Sequence, residues 1–210
     1  MTEDAAPIML MRNQPWFPPI RLFARPSTAD LQAFCEAAQD AQLCTMPGSV
    51  DDIPPRWLVN HHERIIGHGG TAFARACTAL DRLACLELPW LTHCVRDDVL
   101  AVCSRQFGIV WLMNANRIVA RTPSSRRGGA NERSITWATT RRHVLCGEER
   151  LRVHWDKGAS DEVRFEVLSF SRPRHVFAWA SYPVVVAQQL RFARDAADTM
   201  SACQSACASS

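Results

Sequence analysis

The chain has 210 residues, 47% apolar and 21% charged, and 24 basic against 21 acidic side chains leave a formal net charge of +3. That length supports one hydrophobic core burying roughly 70% of the extended chain's surface without metal or disulfide staples. The composition excludes a disordered, collagen-like or low-complexity chain, and so small a charge excess excludes recruitment of nucleic acid or an anionic membrane by charge alone.

The first seven residues are acidic where a secretory leader is basic, and the apolar run at 8–11 is too short for a leader's core. Residues 1–26 hold five prolines and read as an extended segment whose aromatics at 15–19 need a surface to dock on. Ser27 is an N-cap for a helix over 29–43, with Leu31, Phe34, Cys35, Ala38 and Ala41 at helical spacing and Pro47-Gly48 as its stop. A strand is expected at 56–66. Gly67-His68-Gly69-Gly70 then opens a second helix through Phe73, Cys77, Leu80 and Ala84, which Leu88-Pro89 ends.

From residue 99 the period changes to two. Segments 99–106, 110–121, 134–143, 149–155 and 161–171 are strand-length and largely alternating, and their short connections favour antiparallel hairpins over crossovers. After Pro173 a helix is expected over 176–203, interrupted at Pro183, with Val186, Leu190, Ala193, Ala197 and Met200 near one face. This describes a single α+β domain over 27–203, an antiparallel sheet with one face covered, followed by a tail at 204–210. No segment has the length and apolarity of a membrane-spanning helix. Nine cysteines with no C-x-x-C pair are expected to be reduced thiols in a cytoplasmic setting.

Alternation assigns faces in the hairpin over 134–155. Leu151, Val153 and Trp155 mark the buried side of its second strand and carry Glu149 with them. On the first strand Ile135, Trp137, Thr139, Arg141 and His143 share a face. A turn at 144–148 brings His143 beside Glu149, a proton-transfer pair whose burial and mutual charge move both pKa values toward neutrality. The alternative is a hydrogen bond that only pins the hairpin. Arg141, on the same face, is a candidate anion partner, or a strand-end arginine in solvent. Arg126-Arg127 and Arg142 add charge without an aromatic platform, which argues against a nucleic-acid groove.

His61, His62 and His68 lack the helical i, i+4 spacing of a zinc site, so no metal ligand is assigned. Cys203 and Cys207 have no second pair and read as inert thiols. The glycines at 67–70 serve a tight strand-to-helix turn or an anion cradle; no nucleophile elbow, dinucleotide fingerprint or Walker sequence accompanies them. Trp111, Trp137, Trp155 and Trp179, with Thr139 and Tyr182, are the candidate ligand-binding residues; core packing is the equal alternative for the tryptophans.

The pattern resembles a family of uncharacterised bacterial and plant proteins, the domain of unknown function family nineteen-ninety. The residues that carry the resemblance are Arg25-Pro26-Ser27, Asn60-His61, Gly67-x-Gly69, His143-x3-Gly147-Glu148-Glu149, the run from Glu166 to Pro173, Tyr182-Pro183 and Phe192-Ala193-Arg194. Members typically read Tyr-Gly-Thr-Leu-Pro-Gly-His where this chain has Trp137-Ala138-Thr139-Thr140-Arg141-Arg142-His143. The architecture also resembles the helix-grip domains of the birch-pollen-allergen and START-like type, in which a curved antiparallel sheet packs on a long C-terminal helix around an apolar cavity; here N-terminal helices are added. That resemblance implies an apolar ligand class.

The expected function is therefore binding of an apolar, polyketide- or terpenoid-like small molecule, with cofactor-free cyclisation, isomerisation or dehydration. His143 is expected as general base or acid, Glu149 as its proton partner and Arg141 as the stabiliser of an oxyanion. A cavity of at least about 300 Å³ reached by His143 is what such a site calls for. A non-catalytic carrier or sensor of a hydrophobic molecule is the alternative, and a structural protein with a filled core is a weaker third.

Overall fold

The computed structural model describes residues 20–122, 131–158, 160–174 and 176–205. The aromatics at 15–19, Arg126-Arg127 and Cys207 lie outside them. In chain order the elements are β1 (Ile20–Leu22), α1 (Thr28–Ala37), β2 (Leu58–His68), α2 (Gly69–Asp81), β3 (Leu91–Arg96), β4 (Val99–Gln106), β5 (Val110–Thr122), β6 (Glu132–Thr139), β7 (Leu145–Trp155), β8 (Glu162–Pro173), α3 (Val176–Ala180) and α4 (Tyr182–Ser205). No helix among the described residues is long and apolar enough to cross a membrane.

All the strands pair antiparallel in the order β2-β8-β7-β6-β5-β4-β3, and β1 joins beside β5. Register shifts between Ile65 and Gly67 and between Ile118 and Ala120 mark bulges. Each adds an unpaired residue that bends its strand, which curves the sheet around α4.

Ser27 caps α1 as its sequence indicates. Its Oγ accepts from the Asp30 N–H at 3.2 Å, and Asp30 Oδ2 accepts from the Ser27 N–H at 2.8 Å, a reciprocal capping box. The helix stops at Ala37 rather than 43, because Leu43 pairs with Thr140 and the Cys44 N–H donates to the Thr139 carbonyl at 2.9 Å. Sheet pairing here outweighs the few tenths of a kcal/mol per residue that helix propensity offers. α2 likewise ends at Asp81, and β3, absent from the sequence reading, occupies the segment that follows Pro89.

The inner face of the sheet packs on α2 and the C-terminal half of α4, joining Leu80, Ile135, Leu151, Val153, Phe165, Ala193, Ala197 and Met200. Full burial of each large aliphatic or aromatic side chain here contributes about 1.5–3 kcal/mol. Leu190, assigned to this face from its spacing, is exposed, and the buried row of α4 runs through Ala193, Ala196, Ala197 and Met200. The sheet is also not bare on its other side. α1 covers it at β3, β4 and β5, where Leu31, Phe34 and Cys35 meet Val99, Ala101, Cys103 and Met113.

Gly147 sets how closely β7 and β8 approach. A Cβ there would collide with the Phe170 carbonyl oxygen and sit 2.9 Å from the Ser171 Cα, both backbone atoms of a paired strand. Gly147→Ala is therefore expected to cost about 2–4 kcal/mol. Thermal unfolding followed by circular dichroism checks it; an unchanged midpoint would show that the strands separate freely.

Candidate functional site

Residues paired directly across neighbouring strands share a face, so the register sorts the inner face into rows. His62, Val167, Leu151 and Ile135 form one row; Asn60, Ser169, Glu149 and Trp137 form the next; Leu58, Ser171 and Gly147 follow. The first row lies in the apolar core. The next two are polar or small apart from Trp137 and Leu58, and the N-terminal half of α4 spans them through Val185, Gln188, Gln189 and Phe192. The gap beneath α4 is a cavity of about 200 Å³. That is smaller than the 300 Å³ expected from the sequence, yet somewhat larger than the roughly 150 Å³ that suffices for benzene.

His143 and Glu149 both line this cavity. Glu149 Oε1 is buried without a hydrogen-bond partner, and desolvation pushes its carboxyl up to about 8. At neutral pH the group is a carboxylic acid, because nothing near it compensates an ionised form. His143 sits in the turn after β6, where its Nδ1 accepts from the Leu145 N–H at 2.9 Å. The ring proton is therefore on Nε2, and burial pushes the imidazole down to about 3.

The two groups are not the adjacent pair expected. The turn occupies 140–144, earlier than 144–148, and Glu149 pairs with Trp137. His143 is tied to Leu145, and four residues of extended chain, about 13 Å, separate that position from Glu149. Both pKa shifts arise first from desolvation, not from mutual charge.

Trp137 and Thr139 also line the cavity, and Thr139 Oγ1 accepts from the Gly147 N–H at 2.9 Å. Arg141 does not reach it. β6 ends at Thr139, so alternation no longer governs residue 141, which is exposed, with its N–H donating to Gln42 and its carbonyl accepting from Arg174. Trp111 lies on the opposite face beneath α1, between the Arg25 and Arg105 guanidinium groups, because it is Leu112, Asn114 and Asn116 that turn inward on β5. Trp155 is on the inner face but at its far end, packed on Phe73 and donating from Nε1 to Asp161 at 2.7 Å. Trp179 is 62% exposed, with its ring 6.2 Å from that of Tyr182, and Trp155, Trp179 and Tyr182 do not line the cavity.

Sequence reasoning missed Trp90, which follows Pro89 with no periodic signal, and the polar wall from β2, β8 and α4. There Asn60 Nδ2 donates to Gln189 Oε1 at 3.1 Å, and Gln189 Nε2 donates to Ser171 Oγ at 2.9 Å. The readable signal was Ser169 and Ser171 at inward positions of an otherwise apolar strand.

His61 and His62 point to opposite faces of β2. His61 Nε2 meets buried Glu166 at 2.9 Å, and Arg152 also bonds that carboxylate; His62 Nε2 is buried on the inner side. The Gly69 N–H donates to Asp161 and Gly69 has φ of 80°, so the glycines serve the turn into α2.

Residues 41–199 match the model of the family described as domain of unknown function DUF1990, the greater part of the chain. A UPF0548 protein of Dictyostelium discoideum is 26% identical over 204 residues, 85% of this chain and 93% of that protein. A UPF0548 protein of Arabidopsis thaliana is 26% identical over 151 residues, 69% of this chain and 72% of that protein. Among solved structures, a hypothetical protein of Helicobacter pylori superposes with a TM-score of 0.50 at 15% identity, over 75% of this chain and 94% of that one; this likeness concerns the fold.

The buried pair shapes stability against pH. Glu149 binds its proton more tightly folded than unfolded, so its contribution is complete below about 4.5 and is lost as pH rises toward 8. His143 behaves oppositely: from about 6.5 down to 3 the unfolded chain takes up a proton that the folded one refuses. Glu149→Gln is expected to flatten the alkaline limb of a melting-temperature profile and His143→Gln the acidic limb. Profiles from pH 4 to 9 check this, and parallel curves for wild type and variants would refute it.

Proposed function

We infer a function from the premise that this chain belongs to the DUF1990 family and from the cavity it encloses: it binds a ring-sized apolar molecule between the sheet and α4 and performs cofactor-free acid–base chemistry on it. The reaction is a cyclisation, isomerisation or dehydration, each of which needs a proton delivered to or taken from carbon or oxygen in a site shielded from water. The observation that carries this reading is Glu149, whose Oε1 is buried and unpartnered at the cavity wall. Buried polar atoms are nearly always satisfied, so a partner from outside the chain is the physical expectation.

Held protonated by desolvation, Glu149 is the general acid; it gives its proton to the ligand, and the carboxylate it becomes takes a proton back from the neighbouring carbon, which restores the acid without a second base. His143 takes a role different from the base expected of it. With Nδ1 engaged by Leu145 and the ring neutral, its Nε2–H donates a hydrogen bond to a carbonyl or developing oxyanion across the ligand. Arg141, exposed at the turn, has no part in this step. The cavity volume favours a single or fused two-ring ligand over a long-chain one.

A carrier or sensor uses the same cavity, and the tie between His143 Nδ1 and the Leu145 N–H, which removes the ring's acceptor, is the observation in its favour. Isomerisation of 3-cyclohexen-1-one and related single-ring unsaturated ketones, followed by NMR, separates the two. The enzyme is expected to lose roughly 10²-fold or more of its rate on Glu149→Gln and to slow as pH rises through about 8. Binding of cyclohexanone should change little. Binding without turnover in wild type would establish the carrier.

A further inference from the structure

Gln106 and Gln188 line both the cavity and a neighbouring surface pocket that Arg105, Phe107, Arg191 and Arg194 also border. The two glutamines form a bar between them: Gln188 Nε2 donates to Gln106 Oε1 at 3.1 Å and to the Arg105 carbonyl at 3.3 Å. Both side chains are long, partly buried and joined by neutral hydrogen bonds worth about 1 kcal/mol each, so the bar parts at small cost.

Charge divides sharply across this bar. The residues lining the cavity include no lysine or arginine, and its ionisable side chains are two glutamates and a histidine held neutral by burial. An anion placed inside would be desolvated with no counter-charge, beside a carboxyl group. On the outer side two guanidinium groups, those of Arg191 and Arg194, face one carboxylate; Arg105 meets the bar through its carbonyl, and its guanidinium lies over Trp111 on the opposite face. Arg191 is held over the Trp90 ring at 4.5 Å and reaches Asp195 Oδ2 at 3.3 Å, while Arg194 makes no ion pair among the described residues. Trp90 is itself a wall of the cavity, and its Nε1 donates to the same Asp195 at 2.7 Å, which locks the cationic rim to the apolar chamber.

We propose that Arg191 and Arg194 form an anion-recognition rim, and that the ligand of this protein is an amphiphilic ring acid whose apolar ring occupies the cavity while its carboxylate remains outside the Gln106–Gln188 bar. The proposal deepens the cavity reading and rests on it. Guanidinium groups suit this task because their planar forks pair bidentately with carboxylates and stay charged at any working pH. The rim also selects against neutral rings of the same shape.

Calorimetric titration with 2-naphthoate and its neutral isostere 2-naphthamide tests the inference. Wild type is expected to bind the carboxylate at least about tenfold more tightly, an advantage that shrinks between 50 mM and 500 mM salt. The surface double variant Arg191→Gln/Arg194→Gln should lose that advantage while keeping its affinity for the amide and its melting temperature. Ser169→Phe, which fills the cavity, should weaken both ligands. Equal binding of naphthoate by wild type and the double variant, or equal loss of both ligands in it, overturns the rim. Binding of the amide alone overturns the rim and leaves the cavity standing; binding of neither overturns the cavity reading itself.

Discussion

A helix can only fill a sheet where the sheet presents side chains large enough to meet it. Along β6, β7 and β8 the inward residues pass from Ile135, Leu151, Val153, Phe165 and Val167 to Thr139, Gly147, Ser169 and Ser171. The first group seats α2 and the alanine-rich end of α4. The second leaves α4 bridging empty space, because threonine, glycine and serine have too little volume to reach the helix. The cavity is thus a consequence of where bulk stops along the strands, and Gly147 marks that point by drawing β7 against β8.

Within this hollow the polar groups that remain are kept uncharged. Glu149 holds its proton and His143 refuses one, both for want of solvent, and Asn60, Gln189 and Ser171 satisfy one another across the α4 interface. Full charges are placed elsewhere. On the outer face, Glu63 is paired with Arg164 and Glu166 with Arg152 and His61, where water screens them or neighbours compensate them. Beside the cavity, Arg191 stands on Trp90.

Much of this was legible before the structure. Period-two alternation located β4, β5 and β8 closely, the Ser27 N-cap located the start of α1, and three apolar residues on β7 put Glu149 on the inner face. The failures share one cause, which is that alternation gives relative parity but not which parity faces the helix or where a strand ends. Trp111 shares a strand with Asn114 and Asn116 but has the opposite parity, and α1 covers its side. Arg141 and His143 appeared to continue β6, whereas Leu43 and Gln42 cross to pair with Thr140 and Arg141 and end it early. Trp90 has no periodic context at all.

The amino-acid order by itself determined most of the elements, β1 and β3 apart, the α+β class, the inward position of Glu149 and the family, because these depend on spacings of a few residues and on local backbone preference. The tertiary structure alone decided that His143 and Glu149 stand apart around a cavity instead of touching, that Trp90 replaces Trp111 in its wall, and that Arg191 of α4 stacks on Trp90. Such placements depend on which distant segments pair, and on how much solvent that pairing excludes, quantities that no local pattern encodes.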